Sequence, residues 1–295
     1  MKDHNRWNSV FWTCRFWLIA LVLLTGPAAA ISVAAADCSS APAGLVGWWA
    51  GDGNANDLAG TNNGILQGGA TASAPGVVAS AFSFDGTNGY VQIPDSPALK
   101  PTNLTVEAWV RFNSLDSAGT ASAGQQYIVF KQNSKTSNFE GYDLGKSRVT
   151  GGDRFSFRAS SSSGALAETF SATFVATGVW YHVAGVRGSN SLQLYVNGQM
   201  ESQTNISFAQ DYGSSPLCFG SSGYPSWDRK FAGALDEVSL YNRALSASEI
   251  AAVYAAGAAG KCKGSSITAQ PQNQAVLIGT NSLFTVTAVG FGSLS

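Results

Sequence analysis

From Leu45 to Tyr241 the chain is a succession of short stretches in which apolar and polar residues alternate, each bounded by Gly, Asn, Asp or Ser. The clearest is LTVEAWVRF at 104–112. In an extended chain side chains alternate, so Leu104, Val106, Ala108, Val110 and Phe112 share one face, and Thr105, Glu107, Trp109 and Arg111 share the other. LVGWWA at 45–50 predicts a first strand. AFSFDG and GYVQIPD predict a hairpin across 86–89, with Asp85 holding the turn. QYIVFKQ, EGYDLGK, RFSFRAS and LAETFSATF follow between 126 and 174, then two long strands at 179–188 and 191–200. The pattern changes once. After the strand FAGALDEVSLY at 231–241, Ser246 and Glu249 form an S-x-x-E capping box, Ile250, Val253 and Tyr254 lie at helical spacing, and Gly257 suits a C-terminal stop. Many short strands and one short helix predict an all-β antiparallel sandwich or barrel. Trp48, Trp49, Trp109 and Trp180 are expected in its core. Asp236 is expected on the same face as Val238 and Leu240, where a carboxylate needs hydrogen bonds or a cation.

The two ends read differently. Lys2, Arg6 and Arg15 precede an apolar run, and A-x-A patterns end at Ala30 and Ala36, so residues 1–36 read as a secretory signal peptide. The run is shorter than the roughly 18 residues of a spanning helix, which disfavours an uncleaved anchor. Export is therefore expected, to the medium or the cell surface, with no membrane insertion after cleavage. From 264 a Gly/Ser linker leads to ITAQPQNQAVLI and SLFTVTAV, two strand-like segments that read as the start of a second β unit, cut short at 295.

Charge and cysteine narrow the function classes. Charged residues are 12% of the chain and the formal net charge is −1; without Lys2, Arg6, Arg15 and Asp3, 14 basic and 17 acidic residues leave −3. That balance offers no electrostatic footprint for nucleic acid. Cys38 and Cys262 bracket the strands and the helix, so in an oxidising compartment they are expected to pair, closing a loop worth roughly 5 kcal/mol in the chain-entropy model. Cys218, in PLCFGSS, reads as a buried free thiol. The mature part has one histidine, His182, inside a strand, where a sheet-face role is expected; no P-loop, HExxH or zinc-spaced Cys/His cluster occurs. The loop Tyr224, Pro225, Trp227, Asp228, Arg229 could present aromatic rings to sugar C–H faces with charged neighbours for the hydroxyls; Trp227 tucked under its own loop is the competing expectation.

The pieces LVGWWAGDGNANDLAG, FSFDGTNGYVQIPDS, LTVEAWVRF, GVWYHVAGVRGSNSLQLYVNG and GALDEVSLYNRALSASEI, in that order, resemble the LamG-like jelly roll of the concanavalin A-like lectin and glucanase fold. The tail from Ile267 resembles the opening of an immunoglobulin-like repeat. The expected organisation is a signal peptide at 1–36, a jelly-roll domain at 37–263, and a linker with a truncated immunoglobulin-like segment at 264–295. The resemblance implies two packed antiparallel sheets and a binding or adhesion role toward a polysaccharide or a cell-surface protein. A ligand-free spacer and an accessory domain of a glycan-active enzyme stay open beside it. Glucanases of this fold are similar in carrying two glutamates in E-x-D-x-x-E, which is absent here; Glu107 stands alone, so the chain is expected to be non-catalytic. Related jelly rolls hold a structural Ca²⁺ between the loop after the first strand and an Asp on the last. Asp57 and Asp236 match those positions, and Asp52 is a further oxygen donor. The alternative is that Asp57 caps a turn and Asp236 accepts from backbone.

Overall fold

The computed structural model describes residues 38–118, 124–225 and 228–263, and the backbone of 266–269 and 287–289. The leader, Trp227 and most of the tail lie outside the described residues. In chain order the strands are β1 (Leu45–Trp49), β2 (Ile65–Gln67), β3 (Thr71–Pro75), β4 (Ser80–Asp85), β5 (Tyr90–Ile93), β6 (Leu104–Phe112), β7 (Gln126–Gln132), β8 (Gly141–Val149), β9 (Gly152–Ser160), β10 (Leu166–Phe174), β11 (Trp180–Arg187), β12 (Ser191–Val196), β13 (Gln199–Asn205), β14 (Leu217–Phe219) and β15 (Ala232–Tyr241), followed by α1 (Ala247–Ala256). Beyond them β16 (Ser266–Ala269) pairs antiparallel with β17 (Thr287–Val289).

Two antiparallel sheets form a jelly-roll sandwich. One runs β13-β12-β11-β6-β15-β4-β3, with β1 also on β15; the other runs β10-β9-β8-β7-β14-β5-β2. The expected halves of β6 separate as its alternation requires. Val106, Val110 and Phe112 enter the core between the sheets, with Phe82, Leu144, Phe157 and Phe219 from both layers. Trp109 faces out, 5.3 Å from the His182 ring and 5.6 Å from Tyr254 on α1. Burial of this apolar set is the main stabilising term. Asp85 holds its hairpin, its Oδ1 accepting from the backbone N–H of Thr87, Asn88 and Gly89.

The helix begins at the expected capping box, the Ser246 side chain accepting from the Glu249 N–H while the Glu249 side chain accepts from the Ser246 N–H. It covers the outer face of the first sheet, where Ile250 and Leu245 close a second apolar cluster with Ala184, Val186, Tyr195 and Tyr241.

Two expectations are corrected. Asp236 does not share a face with Val238 and Leu240. A bulge between Asp236 and Ser239, with Glu237 at φ +57°, adds one residue to β15; Asp236 pairs with outward Trp109, while Leu240 pairs with inward Val106. Trp180 is half-buried at the sheet surface, with the Arg111 guanidinium 5.0 Å from its ring.

Cys38 and Cys262 form the expected disulfide, Cα atoms 4.9 Å apart. The flanking chain is paired too: Ser39 N donates to Gly260 O, and Cys262 N to Ser39 O, both at 2.9 Å. Cys218 is free and fully buried, and burial pushes its thiol up to about 12. The protein without residues 1–36, which include Cys14, is therefore expected to resist a thiol-alkylating reagent at pH 8 and to take up one label per chain on unfolding without reduction, as read by intact mass.

Candidate functional site

In the second sheet Leu144, Phe155, Phe157, Ala159 and Ala167 point into the core. Alternation sends their neighbours Asp143, Gly145, Ser156, Arg158, Ser160, Glu168 and Phe170 to the outer face. Register then aligns three charges in a row. Arg158 on β9 pairs with Asp143 on β8 and with Glu168 on β10. Its guanidinium lies 3.5 Å from Asp143 Oδ2 and 2.6 Å from Glu168 Oε1.

Beside this row the outer face carries small residues, Ser147 and Ser160, over which the surface dips. Two depressions result, both lined by Arg158 and Glu168. One, about 320 Å³, also has Gln125, Arg148 and Phe170; the other, about 240 Å³, has Asn138, Phe139 and Leu166. Leu166 is among the most exposed large apolar residues described, at 60%. Polar groups at the centre with apolar side chains to either side can hydrogen-bond sugar hydroxyls and cover C–H faces. Burial raises the Asp143 carboxyl to about 6 against the pull of Arg158, and Asp143 Oδ2 has no hydrogen-bond partner. Asp143 in turn holds the Arg158 guanidinium above its ordinary range.

The loop singled out by sequence adjoins this face. Tyr224 is half-buried, with Lys135 Nζ 5.9 Å from its ring. Asp228 is buried, its Oδ1 accepting from Ser221 Oγ at 2.9 Å and its Oδ2 ion-paired with Lys230. Arg229 is buried and donates through Nε to Gln125 Oε1 at 3.2 Å, while its carbonyl accepts from Tyr127 N. The loop thus ends at Gln125, on the rim of the larger depression. Asp143, Arg158 and Glu168 were missed in the sequence because each looks like an ordinary polar position in its own strand; only the register places them side by side.

Asp236 is fully buried. Its Oδ2 accepts from Val77 N at 2.7 Å and Val78 N at 2.8 Å, while its Oδ1 has no partner. Burial raises its carboxyl to about 7, with the Glu237 and Asp52 charges adding to the effect. Asp52 holds the same turn, accepting from Ser80 N at 2.9 Å, and forms an ion pair with Lys263. Asp57 accepts from Trp48 N, Ala59 N and both nitrogens of Asn62, which fixes its own loop. The orphaned Asp236 oxygen fits a cation, with Asp52, which accepts from the same turn, as a further oxygen donor. Among the described residues no group of three His, Cys, Asp or Glu side chains is arranged to hold a metal, so backbone carbonyls or water would have to complete the shell.

A second polar cluster lies on the outer face of the first sheet. Lys261 Nζ sits 3.4 Å from Glu237 Oε2 and 3.6 Å from Glu107 Oε1. Tyr241 donates to Glu107 at 2.8 Å, Trp48 Nε1 to Glu237 at 3.0 Å, and His182 Nε2 lies 3.4 Å from Glu107. All six residues are at most 3% exposed. The histidine is a sheet-face residue, as expected, and the cluster is closed to a substrate.

Residues 85–251 match the family profile of the concanavalin A-like lectin/glucanases superfamily. No curated protein matches the chain. Among solved structures, domain 4 of the GH43 extracellular arabinanase from Geobacillus stearothermophilus, in complex with arabinotriose, is 20% identical with a TM-score of 0.54, over 70% of this chain and 96% of that one. The binding domain of Paraclostridial Mosquitocidal Protein 1 is 17% identical with a TM-score of 0.57, over 72% and 52%. The binding domain of botulinum neurotoxin DC in complex with SialylT is 12% identical with a TM-score of 0.54, over 72% and 52%, so the chain spans about half of each toxin domain. At these identities the likeness is one of fold.

Proposed function

The chain belongs to the concanavalin A-like lectin/glucanases superfamily, and from that premise we propose that its sandwich is a non-catalytic glycan-binding module of an exported protein, using the outer face of β7–β10. The observation that carries this is the Arg158–Glu168 pair, which lines both depressions of the outer face. Two structures of the same fold support the ligand class, being complexes with arabinotriose and SialylT. The reading of residues 1–36 as a secretory leader supports export. The tail is read as the opening of an immunoglobulin-like repeat.

A glycan array followed by affinity electrophoresis on the positive polysaccharides tests the reading. Phe170→Ala and Glu168→Gln are expected to weaken retardation about tenfold each, because each removes one kind of sugar contact without leaving a buried charge unpaired. Trp227→Ala reports on the neighbouring loop. Silence across the array would favour the ligand-free spacer. Binding unaffected by both face variants but lost in Trp227→Ala would move the site to the loop.

Structural Ca²⁺ is proposed at Asp236 with Asp52, and Asp57 shaping the adjoining loop. A carboxyl raised in the folded state stabilises at low pH. Without metal its contribution is present below its ordinary 3.8 and is lost as pH rises through about 7. Ca²⁺ binds the ionised form, so it should raise the melting temperature at pH 8 and much less at pH 5. Asp236→Asn should abolish that response. An unchanged wild-type melt in EDTA and in Ca²⁺ at pH 8 removes the metal.

A further inference from the structure

Arg187 closes β11 at an inward-facing position, paired with Leu104 and Leu192 of the core. It is 2% exposed. Nη1 donates to Thr102 O at 2.6 Å and, more weakly, to Gly188 O at 3.4 Å; Nη2 donates to Phe208 O at 2.8 Å. These carbonyls satisfy donors and tie three loops together, but they carry no net charge. No carboxylate of the described residues lies within 4 Å of this guanidinium. Three other deeply buried cations are neutralised: Lys131 by Asp95 at 2.7 Å, Lys146 by Asp153 at 2.6 Å and Lys261 by Glu237 at 3.4 Å. Arg158, on the glycan face, stands between two acids. Arg187 is thus a buried positive charge left uncompensated, a costly state that an anion relieves.

It also lines a depression of about 280 Å³, near the small end of ligand pockets. The other walls are Thr102, Asn103, Ser189, Asn190, Ser207, Phe208 and Ala209, with no acidic residue. Two buried polar atoms here have no partner, Arg187 Nε and Asn103 Oδ1: one donor and one acceptor. Small hydroxyls and amides around one cation, with an aromatic ring at 5.8 Å from the guanidinium carbon, suit a ligand that is both anionic and polyhydroxylated.

We propose that this depression binds the carboxylate of an acidic sugar residue, Arg187 supplying the charge and Asn103, Ser189, Asn190 and Ser207 contacting ring hydroxyls. It stands apart from the β7–β10 face, at the end of the sandwich formed by the loop before β6, the β11–β12 turn and the segment after β13, and it does not depend on that face binding anything.

The probe is galacturonate, with galactose and acetate as its neutral and non-sugar counterparts, titrated into the isotope-labelled protein and followed by amide chemical shifts. Galacturonate should shift the amides of Ser189, Asn190 and Ser207 and bind about tenfold or more tightly than either counterpart, since a charge-assisted hydrogen bond is lost in one and the hydroxyl contacts in the other. Ser207→Glu places a carboxylate of the chain at the exposed rim and leaves the three carbonyl bonds intact. It should weaken galacturonate about tenfold or more by competition while raising the melting temperature, because it neutralises Arg187 internally. Equal binding of galactose overturns the role of the charge, and equal binding of acetate overturns the sugar assignment. No shift at the three amides, or full affinity in Ser207→Glu, overturns the site.

Discussion

Lys261→Met should cost about 3–5 kcal/mol of stability at pH 7, the typical penalty for leaving a buried charge without its partner. Here one ammonium serves two carboxylates, Glu107 and Glu237, each at most 2% exposed. Methionine keeps an apolar side chain of similar length and removes the charge, including the ammonium that lies 5.3 Å from the Trp48 ring. Burial pushes the Glu107 carboxyl up, but Lys261, then His182 and Tyr241, pull it below its ordinary value. Its contribution is therefore present above the ordinary carboxylate range and lost on acidification. Burial keeps Glu237 above its ordinary value despite Lys261 and Lys263, so its contribution has the opposite sign. With the ammonium gone both carboxyls should sit high, and the variant should gain stability as pH falls from 7 toward 5. Adding Glu237→Gln to Lys261→Met should recover part of the loss, by removing one unpaired charge. Urea denaturation of the two variants at pH 7 and 5 checks this. A loss below about 1 kcal/mol with no pH dependence would mean that water reaches the cluster.

The alternation of β6, the capping box of α1 and the Asp85 turn were legible in the sequence because each rests on local chemistry. The Asp236 face was not. A one-residue bulge reverses every side chain on one side of it, and Glu237 gives no sign in the sequence that its backbone sits at φ +57°. The disulfide was readable from where its cysteines stand relative to the strands, yet the reason for its placement was not: Lys261 looks like a solvated tail residue, and only the fold carries it to Glu107 and Glu237. The charged row on the outer face of β8–β10 was hidden in the same way. Asp143, Arg158 and Glu168 are 15 and 10 residues apart, and nothing short of strand register makes them neighbours. Arg187 was hidden by its place in an otherwise apolar strand end. What sequence reports well is which face a residue takes within one uninterrupted strand; what it reports poorly is which residues of other strands meet it there.

Replacing both Cys38 and Cys262 by Ser should destabilise the domain by about 5 kcal/mol in the chain-entropy model for a ring closed across 224 residues, the largest effect expected of any change here. The loss should not be confined to chain entropy. The bridge fixes the segment whose Ser39–Lys261 pairing sets the Lys261 ammonium between two acids, and whose Lys263 reaches Asp52. If holding Lys261 in place is part of what the bridge does, the two changes must overlap. Adding the double Ser substitution to Lys261→Met should then cost less than it does in the wild type, giving a coupling energy of about 1 kcal/mol or more in the cycle. Native-state hydrogen exchange gives an independent reading: the N–H of Cys262, which donates to Ser39 O, should lose protection in the Ser variant before the amides of β6 do. Strictly additive losses, or a Cys262-position amide as protected as those of β6, would show that the bridge stabilises only by shortening the unfolded chain and that Lys261 holds its place without it.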